Sequence, residues 1–153
     1  RGVASAAAVY GFNDGESGTV GRRADGAVEI EREYAPGEGR VYCVYPEPLL
    51  PPEVTRTHRA GDPANVDALT VTIRTKGGRL APGRTVVTVE VTDPDGRRTD
   101  ESGRCVVNGG RGVVHVRYAD ADKPGSASSP WKAVVRDLTT GEEAGVTWIC
   151  ERR

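Results

Sequence analysis

The sequence predicts an all-β protein, an antiparallel β-sandwich preceded by an amino-terminal arm and a hairpin. Three observations carry that prediction. The apolar set of this 153-residue chain is dominated by β-branched side chains, 21 Val against 5 Leu and 3 Ile with 13 Thr beside them, and such residues pack best on a pleated surface. From residue 68 onward, short runs alternate apolar and polar with a period of two, separated by Gly and Pro turn signals at the spacing of a sandwich. No segment keeps a 3.6-residue apolar stripe for three turns, so at most one helical turn is expected, near residues 64–67.

In chain order, residues 1–52 form an arm and hairpin unit. The arm is the small-residue stretch from Gly2 to Tyr10, extended enough to reach another copy's sheet edge. Val28, Ile30, Arg32 and Tyr34 then share one face of a strand, and Glu29, Glu31 and Glu33 share the other. Asp25-Gly26 and Pro36-Gly37 bound that strand, and the run 40–45 is expected to pair with it through the short connection 35–39. Four prolines in residues 46–52 remove backbone donors and favour stiff, extended chain, which would project the hairpin away from the sandwich. Residues 53–67 stay polar and read as the linker.

The sandwich is expected over 68–153. Leu69, Val71 and Ile73 alternate with Thr70, Thr72 and Arg74; Val87, Val89 and Val91 alternate with Thr88, Glu90 and Thr92, ending at Asp93-Pro94-Asp95-Gly96. A short strand at 105–107 precedes Gly109-Gly110. Val114, Val116 and Tyr118 face one way on the next strand, and Trp131, Ala133 and Val135 on the one after; Thr140-Gly141 turns the chain into Val146, Trp148 and Cys150. The expected core is Leu69, Val71, Ile73, Val87, Val89, Val91, Val114, Val116, Trp131, Val135 and Trp148, because a one-residue slip would turn each set to solvent.

Charge and motif content narrow the function classes. With 21 Lys+Arg against 22 Asp+Glu and no basic stripe, the electrostatic footprint of a nucleic-acid partner is missing. No apolar run approaches the ~20 residues that cross a bilayer, so no membrane insertion is expected. The start at Arg1 gives the expectation of a cut terminus and a larger parent. Cys43, Cys105 and Cys150 are spaced unlike any zinc motif; Cys105 and Cys150 are the candidate disulfide pair, against the alternative of three unpaired thiols.

General acid/base chemistry near neutral pH usually needs a histidine. His58 sits in a polar stretch and reads as a solvated loop residue, and His115 lies opposite Val114 and Val116 as an exposed strand residue. No G-x-S-x-G elbow, phosphate loop or dinucleotide fingerprint is present. Cys43 lies in a plain strand pattern. Asp93 and Asp95, or Asp120 and Asp122, could offer oxygen ligands to Ca²⁺, but both segments fit turns. Trp131 and Trp148 fall on valine-bearing faces, as core residues rather than a sugar platform. No catalytic residue, metal or cofactor is therefore expected.

The stretch from Val86 to Gly96, Gly110-Arg111-Gly112 before a strand, Pro124-Gly125, and Trp131 to Asp137 with Thr139-Thr140-Gly141 resembles immunoglobulin-like or macroglobulin-like β-sandwich modules of large exported bacterial proteins. Residues 126–130 interrupt the spacing of that pattern. A shorter likeness, Asp25 to Tyr34 with Gly37 to Tyr45, is similar to the closing hairpin of glutamine-amidotransferase-like domains, including β-galactosidase trimerisation domains; Pro36 is extra there, and the likeness implies that residues 1–52 are a remnant of such a domain. The resemblance implies a non-catalytic spacer, docking or assembly module, extracellular or at the cell surface, with protein partners that include other copies of itself. Alternatives are a filament or surface-layer subunit joined by strand addition, and an accessory carbohydrate-binding domain of a glycosidase.

Overall fold

Alternating Val and Thr along the chain build strands whose apolar faces can be buried only against each other. The computed structural model describes residues 8–11, 19–22, 28–31, 35–58, 66–117 and 130–149. Among them are eleven strands and no helix: β1 (Ala8–Gly11), β2 (Thr19–Arg22), β3 (Val28–Glu31), β4 (Tyr42–Tyr45), β5 (Glu53–Thr57), β6 (Val66–Thr72), β7 (Arg84–Thr92), β8 (Gly103–Asn108), β9 (Arg111–Arg117), β10 (Trp131–Asp137) and β11 (Glu143–Trp148).

Seven of these make one antiparallel sheet in the order β11-β10-β7-β8-β9-β6-β5. The β8–β9 ladder contains a single pair, Asn108 opposite Arg111, so the sheet folds over at that corner into two layers. One layer is β5-β6-β9 and the other β8-β7-β10-β11. Their inner faces carry the core: Leu69 and Val71 of β6 with Ile73 just past its end, Val87, Val89 and Val91 of β7, Val107 of β8, Val116 of β9, and Ala133 and Val135 of β10 are all buried, with Trp148 of β11. Val114 and Trp131 are half-buried at its margin. The alternation expected from sequence therefore places the anticipated core residues together, and the all-β sandwich is the fold.

Strand direction gives the sandwich two poles. One holds the ends of β6 and β10 and the start of β7; the other holds the starts of β6 and β10 and the end of β11. At the first pole the β8–β9 turn comes so close to its neighbours that a Cβ on Gly110 (φ 76°) would lie 2.7 Å from both Ala81 N and Ile73 O. Those atoms belong to the chain that closes this pole, where Ile73 N–H donates to Gly110 C=O at 2.9 Å and Ala81 N–H to Ile73 C=O at 2.9 Å.

The amino-terminal third departs from expectation. β3 pairs with β2, not with the run 40–45, and β4 pairs with β1, Tyr10 opposite Cys43 and Ala8 opposite Tyr45. Aromatic packing accounts for the exchange: Tyr10 and Tyr45 meet edge to face, ring centroids 6.2 Å apart, a contact worth about 0.5–1.5 kcal/mol beyond area. Ala8–Gly11 is thus held within its own chain, and that part of the arm does not reach for another copy.

Nor does the proline-rich run project the ribbon outward. Leu50 N–H donates to Arg74 C=O (2.8 Å) and Lys76 N–H to Pro48 C=O (2.7 Å). Glu47 accepts from Gly77 N–H (3.1 Å) and from the Arg79 guanidinium. Prolines lack donors but keep their carbonyls, so the run straps onto the end of β6. The expected linker is likewise corrected at its start, since Glu53–Thr57 is β5, paired from Glu53 opposite Thr72 to Thr57 opposite Ala68. Val66 and Asp67 open β6 instead of forming a helical turn, and residues 59–65 lie outside the described residues.

Candidate functional site

The period of two that carries Val54 inward on β5 carries Arg56 inward as well, followed by His58 just past the strand end. On β6 the same period that buries Leu69 and Val71 buries Asp67, whose side chain is 1% exposed. Register places Arg56 opposite Leu69 and Thr57 opposite Ala68, which brings the Asp67 carboxylate within reach of both basic side chains. Its Oδ2 meets Arg56 Nε, and its Oδ1 lies 2.8 Å from His58 Nδ1.

Arg56 continues the chain of contacts across the sandwich. Its guanidinium carbon lies 5.9 Å from the Trp148 ring centroid, within cation–π range. Trp148 is in turn stacked on Trp131, centroids 6.3 Å apart and planes 18° apart; the two are cross-strand partners on β11 and β10. The first and last strands of the sheet, β5 and β11, share no ladder, and His58, Asp67, Arg56, Trp148 and Trp131 bridge them with side chains alone.

His58 Nδ1 faces two acceptors, Asp67 Oδ1 and Val66 C=O at 3.1 Å, so Nδ1 carries the proton and Nε2 is the ring's remaining polar atom. An oriented Asp–His pair is one part of an acid/base device. The other part, a hydroxyl or thiol within hydrogen-bond reach of the imidazole, is not found among the described residues. Neither is any group of three His, Cys, Asp or Glu side chains that could hold a metal ion.

The opposite pole carries a second polar group. Tyr45 Oη and Thr85 Oγ1 are 2.8 Å apart in the core, and Tyr10 Oη accepts from Leu49 N–H at 2.9 Å. Asp137, fully buried, organises the β10–β11 turn by accepting from Thr139 N–H (2.8 Å) and the Thr140 hydroxyl (3.2 Å). Burial raises its carboxyl above the usual range, and the hydrogen bonds from Thr139 and Thr140 oppose the shift. Burial also pushes the Cys43 thiol up, with the Thr139 hydroxyl opposing and the Asp137 carboxylate adding to the rise. The Cys105 thiol is pushed up by burial too. Both sulfurs are thus held in the protonated, poorly nucleophilic form.

Of the residues singled out from sequence, His115 is exposed on β9 and His58 is an exposed loop residue, both as expected; the contact of His58 with Asp67 was not anticipated. Asp93 is a turn residue, its Oδ1 accepting from Asp95 N–H (2.9 Å) and Arg97 N–H (2.8 Å); Asp120 and Asp122 lie outside the described residues. Cys105 carries a free thiol, and its candidate disulfide partner, Cys150, lies outside the described residues. Through Val87 and Asp137 the register sets Cys105 six residues up the sheet from the Trp131–Trp148 pair. Asp67 and Arg56 went unnoticed because charged residues at inward positions read as linker; the signal available was their parity with Val54 and Leu69. No protein-family model, no curated protein and no solved structure matches the chain.

Proposed function

We propose that the chain is a non-catalytic structural module of an exported bacterial protein, an immunoglobulin-like sandwich that serves as a spacer and docking domain. The observation that carries this reading is polarity. Seven antiparallel strands reverse direction six times, so the chain enters the sandwich at β5 on the strap-covered pole and leaves it at β11 on the tryptophan pole. A module entered at one pole and left at the other holds its flanking segments apart by the length of its strands, about 20–30 Å for six to nine residues.

Strand order supports the immunoglobulin-like part of the reading. β5, β6 and β9 in one layer with β7, β10 and β11 in the other follow the order of strands A, B, E and C, F, G in such sandwiches. The fourth strand, β8, joins β7 rather than β9, and neither β6 nor β10 has a cysteine for an inter-sheet disulfide, so the antibody-domain pattern is not reproduced in full. The exported, bacterial part rests on the sequence resemblance of the sandwich.

Pulling single tethered molecules by their two ends tests the proposal. One cooperative rupture is expected, releasing about 3.3–3.6 Å for each residue of 53–149 less the folded length. Gradual extension at low force without such an event would overturn the spacer reading.

A further inference from the structure

We propose that the outer surface of the β7–β8–β9 corner docks an amphipathic helix of a protein partner, one whose apolar stripe is flanked on both sides by carboxylates. The inference rests on reading the chain as a docking module, and it names the surface and the chemistry of the partner.

Strand register builds this surface in rows that run across the strands. The period of two that sends Val87, Val89, Val107 and Val116 into the core sends the intervening residues outward. Arg84 stands opposite Asn108, and Asn108 opposite Arg111. Two residues along, Val86 stands opposite Val106, and two further, Thr88 stands opposite Arg104. On β9 the outward residues after Arg111 are Val113 and His115. The hairpin keeps β8 and β9 in contact here, since a Cβ on Gly112 would lie 3.3 Å from Val106 O, and Val113 extends the valine row. Val86, Val106 and Val113 thus run between a row with Arg84 and Arg111 and a row with Arg104 and His115.

Neither the apolar nor the cationic part of this surface has a partner in the chain. Val106 and Val113 are 55% and 51% exposed. Arg84, Arg104 and Arg111 are exposed, and among the described residues none of them has an ion pair, whereas Arg56, Arg74, Arg79 and Arg136 each face a carboxylate. The neighbouring acids lie outside the rows. Glu90 is two residues beyond Thr88 on β7, and Glu101 accepts from Arg117 N–H at 3.2 Å, with Asp100 exposed beside it. Glu53 lies two strands from Arg111 and faces Arg74 at 3.7 Å.

Side-chain length selects the occupant. Arginine is longer than valine by several atoms, so the cations flank a recessed apolar floor. A flat anionic surface such as a bilayer meets the guanidinium groups and is held off the valines, and a polyanion without apolar groups leaves the valines in water. A narrow ligand with both chemistries satisfies both. The two cationic rows are four residues apart along each strand, about 14 Å at ~3.4 Å per residue, and a helix with its side chains is about 10–12 Å across. Laid along the valines, such a helix sets its apolar stripe on them and its carboxylates beside Arg84 and Arg111 on one side and Arg104 on the other. The valine row crosses three strands, about 10 Å, so contact spans less than two helical turns and the complex is weak and transient.

Fluorescence anisotropy with the full chain and three synthetic peptides tests this at low salt. One peptide has leucines on one helical face with glutamates on both flanks, the second is a scrambled version of the same composition, and the third has lysines in place of the glutamates. The glutamate-flanked peptide is expected to bind with a Kd of about 10–100 μM, weakening as salt is raised. Arg104→Glu/Arg111→Glu should bind it about tenfold or more weakly and should take up the lysine-flanked peptide instead, a gain that an unfolded variant would not show. Val106→Thr/Val113→Thr, which keeps shape and charge while adding hydroxyls, should weaken binding about threefold or more. The proposal is overturned if the glutamate-flanked peptide does not bind, if the scrambled peptide binds as well, or if binding ignores both variants. Tighter binding to vesicles of equal parts phosphatidylcholine and phosphatidylglycerol would give the surface to a membrane, and self-association lost in the same variants would give it to a second copy; either result also overturns it. Single-molecule pulling does not sense this surface, so failure here leaves the spacer reading standing, and failure there leaves peptide binding intact.

Discussion

The two poles of the sandwich are closed by different means. At one, the backbone closes the core: the β1–β4 ribbon lays Tyr10 and Tyr45 over it, and the strap 46–50 adds main-chain hydrogen bonds to the end of β6. At the other, no strand is added among the described residues. Side chains bridge the seam instead, from His58 and Arg56 through the Asp67 carboxylate to the stacked indoles of Trp148 and Trp131. Backbone closure spreads stability over many main-chain hydrogen bonds; side-chain closure concentrates stability in a few large or charged groups. Single substitutions should therefore cost more at the tryptophan pole, except where backbone packing leaves no room.

Trp148→Ala is expected to have the largest effect, a loss of about 4 kcal/mol in denaturant melts, because the ring is nearly buried and two neighbours lose their contact with it. A loss below about 1 kcal/mol would mean that the β5–β11 seam closes without the indole. Gly110→Ala should come next, at about 3 kcal/mol, since a side chain there meets backbone atoms at 2.7 Å and also adopts a left-handed conformation. It is the exception that tests whether close main-chain packing is what holds the ribbon pole.

Asp67→Asn is expected to cost about 2 kcal/mol, less than a fully buried ion pair because Arg56 and His58 are each partly exposed. The loss should shrink in the Arg56→Met background, where no guanidinium is left without its carboxylate. Tyr45→Phe removes one hydrogen bond from the ribbon pole and leaves Thr85 without that partner, for about 1 kcal/mol.

The smallest effects are in pH dependence, where two carboxylates of the ribbon pole have opposite signs. The Thr75 hydroxyl and the Arg79 guanidinium hold Glu47 below the usual carboxylate range, so its stabilisation is present above its unfolded-state value and lost as pH falls through the folded one. Asp137 is raised by burial; the native state binds its proton first, so acidification through that interval favours folding. Melting temperatures from pH 7 to about 3 should fall less steeply in Glu47→Gln and more steeply in Asp137→Asn than in the parent chain.

Much of the sandwich was legible because alternation of Val with Thr is a local pattern with one buried solution. The turn role of Asp93 was legible for the same reason, since Asp-Pro-Asp-Gly satisfies its own amides. The tryptophan pole was not. Arg56 occupies an inward position of β5 but is charged, His58 follows just past the strand end, and nothing within 53–58 reveals that Asp67 and Trp148 will stand beside them. The ribbon misled differently: β3 and β4 are both good strands, and proximity favoured pairing them, but β4 pairs with β1, where Tyr10 meets Tyr45, across a longer loop whose closure entropy grows only slowly with length.

By itself, then, the sequence determined strand periodicity, turn positions and the inward set from Leu69 to Trp148, all of which depend on neighbours one to four residues apart. Only the tertiary structure decided which strands pair, that the sheet folds over between β8 and β9, and that Asp67 is held between Arg56 and His58. Those outcomes depend on residues tens of positions apart meeting in space, and each is settled by competition among partners that no local window contains.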